Sequence, residues 1–293
     1  MSLKKQIFQG ICNAAFLVAI LHFIIAHGIH ALALKAVQLV QKVLFPKQKR
    51  FEGFNFEIFH YLFRLAFFVN DTHLHSIFPK DLNVNEEPTL ILINHTSASD
   101  HAMVMCSVLS QTSFMAKASL FKNPIMKFYL DSGKTISVER EDREQAMGAV
   151  KQAENNLKSG MNVSIFPEGT RNNDAHLDGG KLGPLKMGAF HCAKNASVRI
   201  MLLYCDGISR TWNSRFKLPI AGTNFVKFLG YVSKEEVAKT DVHELQKKVT
   251  EMYDQGRQCR SDDEILKFPN PNIAILFLLA NLWLLKCFFA KLF

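Results

Sequence analysis

The chain reads as an α/β protein, a largely parallel sheet covered by helices, with N-terminal membrane-associated helices and a C-terminal apolar helix. Three observations predict this. Between about residues 81 and 265, short runs rich in β-branched residues alternate with stretches of helical periodicity, the pattern of βαβ crossovers. From Gln6 to Leu34 there is no Lys, Arg, Asp or Glu, a stretch longer than the roughly 20 apolar residues that cross a bilayer. From Ile273 to Leu285 the chain is again apolar apart from Asn281. The expected organisation is a membrane-anchoring and amphipathic helical region over 1–80, a catalytic α/β domain over 81–265, and an apolar membrane-associated helix over 266–293.

Taken in order, the N-terminal segment is interrupted by Asn13, His22, His27 and His30, so it either spans the bilayer or forms a re-entrant or interfacial helix pair. Lys35 to Phe45 and Phe56 to Val69 carry apolar residues at helical spacing, and this phenylalanine-rich region rests on the membrane interface or packs against the main domain. Four short runs then predict strands: Thr89 to Ile93, Thr135 to Val138, Asn162 to Phe166 and Val198 to Tyr204. Between the second and third, Asp142 to Lys158 places Ala146, Ala149, Val150, Ala153 and Leu157 on one helical face, with Gly160 as the stop. Pro184 opens a further helix running to about Ala196. Ser233-x-x-Glu236 and Asp241-x-x-Glu244 resemble capping boxes, the second leading into Leu245, Val249 and Met252. At the C-terminus, Lys286 and Lys291 are placed to snorkel from an apolar helix to headgroups.

The 293 residues carry 35 Lys+Arg against 26 Asp+Glu, a net charge of +9. Such a balance suits nucleic acid, anionic lipid or phosphorylated substrates. Lys35, Lys42, Lys47, Lys49 and Arg50 flank the apolar segment, which favours a lipid surface. No nucleic-acid-binding signature competes with it, and no nucleic acid is expected as a partner. The six cysteines contain no CxxC pair, so neither a disulfide framework nor a zinc site is predicted, and the catalytic domain is expected to face a reducing cytoplasm.

Two motifs carry chemistry. In "NHTSASD", His95 follows a predicted strand and Asp100 lies about one turn further on. Ligands of α/β folds bind at such strand ends. A carboxylate on one ring nitrogen fixes the tautomer and stabilises the imidazolium, leaving the other nitrogen to take a proton. The sequence has no Gly-x-Ser-x-Gly elbow, so the nucleophile is assigned to the substrate, an acceptor hydroxyl deprotonated by His95. In "FPEGTR", at the end of another predicted strand, Pro167 and Gly169 shape a tight turn. Arg171 there presents a planar fork suited to phosphate, and Glu168 either binds a hydroxyl or holds that arginine. Main-chain N–H groups near the His95 turn are candidate oxyanion donors.

Together these motifs resemble the glycerolipid acyltransferase family, the one that contains the 1-acylglycerol-3-phosphate (lysophosphatidate) acyltransferases. The resemblance covers about Leu90 to Gly207. "NHTSASD" matches the family's Asn-His-x-Ser-x-x-Asp form, "GKTISVER" is similar to its second block, and "FPEGTR" matches its third. Lys117 and Pro124 in "MAKASLFKNP" and Lys186 and Gly188 in "LKMGAFHCA" also fall at familiar positions. The resemblance implies transfer of a fatty acyl group from a thioester, acyl-CoA or acyl carrier protein, to a glycerol hydroxyl, with no metal, no other cofactor and no covalent acyl-enzyme. It places His95 as general base and Asp100 as its orienter, and Arg140, Glu168, Gly169, Thr170, Arg171, Lys117 and Lys186 as substrate-binding residues. The expected partners are membrane lipids, a lysophospholipid acceptor and the acyl donor. The expected location is a membrane with the catalytic domain facing the cytoplasm: endoplasmic reticulum in a eukaryote, inner membrane in a bacterium.

One departure stands out. The family's fourth block carries a proline where this chain has Arg199, a residue that adds a phosphate contact or faces solvent. Lysophosphatidate is the expected acceptor, Ser97 favouring it. Another lysophospholipid, glycerol-3-phosphate or CoA-independent transacylation keeps the chemistry and changes the substrates. A catalytically silent lipid-binding protein is the reading from another class, and His95, Asp100 and Arg171 argue against it.

Overall fold

The computed structural model describes residues 72–258, except 98–99, 109, 111, 125–126, 128–129, 132, 173–181, 208–211, 214–217 and 220–221. The two predicted terminal membrane segments and the amphipathic helices of the N-terminal region lie outside the described residues. Among the described residues no helix is long and apolar enough to cross a membrane.

Nine strands and five helices are described. The strands are β1 (Thr72–Ile77), β2 (Thr89–Ile93), β3 (Thr112–Lys117), β4 (Ile136–Val138), β5 (Asn162–Ile165), β6 (Arg199–Asp206), β7 (Trp212–Asn213), β8 (Leu218–Pro219) and β9 (Gly222–Val232). The helices are α1 (Asp100–Ser107), α2 (Arg143–Lys158), α3 (Gly188–Ala196), α4 (Lys234–Lys239) and α5 (Val242–Gln258), and a 3-10 turn follows β3 at Ala118–Lys122. Seven strands form one sheet in the order β1-β9-β6-β2-β5-β3-β4, while β7 and β8 pair separately. Every pairing in the large sheet is parallel except β6 with β9. The predicted fold class, an α/β protein with a largely parallel sheet covered by helices, is what the described residues form.

The central strand explains why the sequence signal was strong there. All five residues of β2 are buried, as expected for a parallel strand covered on both faces, which reads as a continuous apolar run. Its alternate side chains enter two cores. Leu90 and Leu92 join Val163, Ile200 and Leu202 beneath α2, α3 and α5, where Ala153, Leu157, Phe190, Leu245, Val249 and Tyr253 are buried. Ile91 and Ile93 join Met201 and Leu203 against Met103, Val104 and Cys106 of α1.

The helix signals map onto real caps. Asp142 caps α2 by accepting from the Gln145 N–H at 3.1 Å, and Gly160 takes φ +92° just past its end. Ser233 accepts from the Glu236 N–H at 3.2 Å to start α4, and Asp241 accepts from the His243 N–H at 2.8 Å at the start of α5. The helix expected from Pro184 instead begins at Gly188. The preceding segment is committed elsewhere: the Lys186 N–H donates to the Pro167 carbonyl at 2.7 Å, and the Gln246 amide donates to the Leu185 carbonyl. Three strands of the sheet, β1, β3 and β9, were not anticipated, and β1 joins the sheet from a position N-terminal to residue 81.

Arg199 corrects an expectation. It does not face solvent, and its partners lie away from the FPEGTR motif; it opens β6 at only 7% exposure. Its Nε donates to Thr89 Oγ1 at 2.8 Å and its Nη2 to the Asn83 carbonyl at 3.1 Å. Glu87 and Glu86 lie 3.4 and 3.7 Å away, and the guanidinium sits 4.4 Å from the Tyr231 ring centre. Thr89 and Arg199 are register partners at the start of β2 and β6. The arginine is therefore a clamp at the sheet end opposite His95, which follows the other end of β2.

Candidate active site

β2 stops at Ile93 because Asn94 replaces the next rung of the ladder with its side chain. Its amide donates to the Cys205 carbonyl at 2.8 Å and accepts from the Cys205 N–H at 2.7 Å. The main chain is then free to leave the sheet, and His95 bonds outside it on both sides. Its N–H donates to Glu168 Oε1 at 2.7 Å, and its carbonyl accepts from the Asn172 N–H at 2.7 Å. The first motif's main chain thus meets the Glu168 carboxylate of the second and the residue that follows it, at the C-terminal edge of β2 and β5, neighbouring parallel strands.

The imidazole is 10% exposed and lies face to face with the Phe166 ring, centres 4.1 Å apart and planes 19° from parallel. Asp100, fully buried, is the first residue of α1, and its carboxylate folds back across the turn. Oδ2 lies 2.8 Å from His95 Nδ1 and accepts from the N–H groups of Thr96 at 2.6 Å and Ser97 at 2.8 Å. Oδ1 accepts from the Thr96 hydroxyl at 3.3 Å. A carboxylate opposite Nδ1 places the neutral ring's proton on that nitrogen, so Nε2 is the atom with a lone pair to take a proton. The expectation that main-chain N–H groups of this turn stabilise an oxyanion is corrected for Thr96 and Ser97: both donate to Asp100.

Glu168 is also buried, at 5% exposure. Its second oxygen accepts from the Gly183 N–H at 2.8 Å. Burial raises its carboxyl above the usual glutamate range, opposed by the hydrogen bonds from His95 and Gly183. Gly169 adopts φ +69°, and a Cβ built there would come within 2.7 Å of Lys186 Cε, so the lysine stem lies directly across the glycine. Thr170, Arg171 and Lys186 are exposed. Arg140, just beyond β4, is exposed at the surface, yet partial burial and then the nearby charge of Arg171 disfavour its cation. Two guanidinium groups close enough to repel one another favour an anion between them.

The structure thus brings His95, Asp100 and Glu168 into one hydrogen-bonded unit, sets Gly169 beneath Lys186, and places Arg140 in electrostatic reach of Arg171. Lys117 ends β3, two strands from β2, and is exposed. His191 is exposed on α3. Four residues that the motifs did not single out support the site: Asn94, Phe166, Asn172 and Gly183. Three of them adjoin or belong to the motifs, but nothing near Gly183 in the sequence points to it. Among the described residues no group of three or more His, Cys, Asp or Glu side chains could hold a metal ion.

The chain is similar to known proteins. Residues 72–205 match the family model described as Acyltransferase. A 1-acyl-sn-glycerol-3-phosphate acyltransferase of Saccharomyces cerevisiae is 26% identical over 168 residues, covering 57% of this chain and 54% of that protein. The human 1-acyl-sn-glycerol-3-phosphate acyltransferase beta is 30% identical over 190 residues, covering 64% and 63%. The matched region thus spans little more than half the length of these relatives. Among solved structures, the 1-acyl-sn-glycerophosphate (LPA) acyltransferase PlsC from Thermotoga maritima superposes with a TM-score of 0.67 at 19% identity, covering 88% of this chain and 99% of that one. It shares the fold.

Proposed function

We propose, from residues 72–205 that match the Acyltransferase family model, that the protein moves a fatty acyl group from a thioester to the free hydroxyl of lysophosphatidate, giving phosphatidate. The observation that carries this reading is the pair of hydrogen bonds joining the His95 main chain to the Glu168 carboxylate and to the Asn172 N–H. They set the base beside the segment that bears Arg171, the residue suited to an acceptor phosphate.

In this reaction His95 Nε2 takes the acceptor hydroxyl's proton as the oxygen attacks the thioester carbonyl. Asp100 stabilises the imidazolium that forms. When the tetrahedral intermediate collapses, the carbon–sulfur bond breaks and the imidazolium returns its proton to the departing thiolate. No acyl-enzyme is needed, because the nucleophile is the acceptor itself. Arg140 and Arg171 hold the phosphate and Lys186 supports it, while Gly169 leaves room for the lysine stem. The donor is acyl-CoA or acyl carrier protein, and both it and the acceptor are delivered from a membrane surface. His95 and Asp100 keep a hydrogen-bonded geometry with a buried carboxylate, which a purely lipid-binding protein would not need.

An acceptor panel with the full-length protein in detergent micelles tests the assignment. Lysophosphatidate is expected to be the best acceptor, ahead of glycerol-3-phosphate and of lysophospholipids whose phosphate is masked by a headgroup. If it is the poorest, the assignment fails.

A further inference from the structure

We infer that Glu168 is a positioning residue that does not touch the acceptor: its carboxylate ties the main chain of the base to the loop carrying Lys186 and holds the two in register. The inference rests on the acyl-transfer reading for its kinetics but not for its geometry.

Both carboxylate oxygens are already engaged by main-chain donors. Oε1 takes the N–H of His95, 73 residues away, and Oε2 takes that of Gly183, 15 residues away. Glu168 is 5% exposed, whereas Arg140, Thr170, Arg171 and Lys186 are exposed and placed to meet a headgroup. Gly183 is matched to this role, since a Cβ built there would lie 3.0 Å from Glu168 Oε2. The grip is double, because the carbonyl of Pro167 accepts from the Lys186 N–H at 2.7 Å. On its far side the His95 carbonyl accepts from the Asn172 N–H at 2.7 Å, so residues 167–172 hold both the base and the 183–186 loop. Asp100 sets the direction of the imidazole; Glu168 sets where its backbone stands. Separated in this way, base placement and phosphate contact give distinct kinetic signatures.

Glu168→Gln keeps the shape and one acceptor but turns an NH2 group toward a main-chain N–H. It is expected to lower kcat about 100-fold, the effect of a shift of about 1 Å in a reacting group. Acceptor KM should stay within about twofold of wild type. Gly183→Ala leaves the carboxylate intact and presses on it, and should lower kcat about tenfold with the same flat KM. A raised acceptor KM with kcat retained in Glu168→Gln would make the residue an acceptor ligand and overturn the inference; so would a Gly183→Ala enzyme of wild-type kcat. Amide hydrogen exchange provides a readout that needs no turnover. Glu168→Gln should speed exchange both around His95 and around Gly183, and unchanged protection at the two segments would also overturn the tie. A wild-type protein that fails to acylate lysophosphatidate would sink the functional reading, and the exchange result would still decide the role of Glu168.

Discussion

Replacing Asp100 with asparagine separates the charge of this carboxylate from its geometry. Three donors, His95 Nδ1, Thr96 N–H and Ser97 N–H, converge on Oδ2, and Oδ1 meets a hydroxyl, that of Thr96. An asparagine therefore puts its carbonyl oxygen in the Oδ2 position. Its NH2 takes the Oδ1 position, where the Thr96 hydroxyl turns from donor to acceptor. The turn survives and Nδ1 keeps its proton, so the ring stays in the productive tautomer. What is lost is the negative charge facing the imidazolium in the transition state. With a Nδ1–Oδ2 separation of 2.8 Å the charge centres lie about 4 Å apart, worth about 4 kcal/mol at an effective dielectric of about 20. That corresponds to a fall in kcat of about 1,000-fold. It is smaller than the roughly 10,000-fold loss that accompanies the wrong tautomer in a serine-protease triad. The assay is steady-state transfer from acyl-CoA to lysophosphatidate, with thermal melting to show an intact fold. An Asp100→Asn enzyme at the wild-type rate would refute the electrostatic reasoning, and one slowed about 10,000-fold or more would refute the claim that the tautomer survives.

Other perturbations separate the remaining parts. Arg171→Ala removes a charge-assisted contact worth about 1.5–3 kcal/mol and should raise acceptor KM about 10- to 100-fold with a smaller effect on kcat, measured by initial rates. Arg199→Ala strips a buried cation from Thr89, Asn83, Glu86 and Glu87. It should cost about 3 kcal/mol in a urea titration while leaving acceptor KM unchanged, because the clamp sits at the far end of the sheet. Gly169→Ala meets both φ +69° and the Lys186 stem; about 1–3 kcal/mol of strain and a raised acceptor KM are expected. Burial raises the Glu168 carboxyl, so the stability of wild type relative to Glu168→Gln should be greatest below about pH 4, the unfolded glutamate range, and fall as pH rises through the raised folded value. Paired urea titrations across pH measure this, and a difference that grows with pH would contradict it.

The parts of the fold legible from sequence are those where one residue's neighbours in space are its neighbours in sequence, or where burial is two-sided. β2 was delimited to the residue because TLILI is covered on both faces, and α2 because Asp142 and Gly160 mark its two ends. β1 (THLHSI) and β9 (GTNFVKFLGYV) escaped notice since they interleave polar and glycine residues, and β9 runs antiparallel to β6 beyond the alternating βαβ pattern. β3 opens on Thr112 and Ser113, buried polar residues that break the apolar run. The same division holds in the site. The five-residue spacing of His95 and Asp100 spans a single turn and could be read directly. The saturation of Glu168 could not, because its partners lie 73 and 15 residues away. Nor could the commitment of the Thr96 and Ser97 N–H groups to Asp100, which depends on how far α1 lets the carboxylate fold back. The environment of Arg199 is illegible for the same reason: its partners Asn83 and Thr89 are 116 and 110 residues distant.

The central claim is that His95 acts as the base for an acceptor hydroxyl bound beside Arg171. Its most direct test is the rate of phosphatidate formation from lysophosphatidate and acyl-CoA by wild type and by His95→Ala, both shown to be folded. The expected result is clear transfer by wild type and a loss of about 100- to 10,000-fold in the variant, the usual worth of a positioned general base. Equal rates in the two proteins would contradict it.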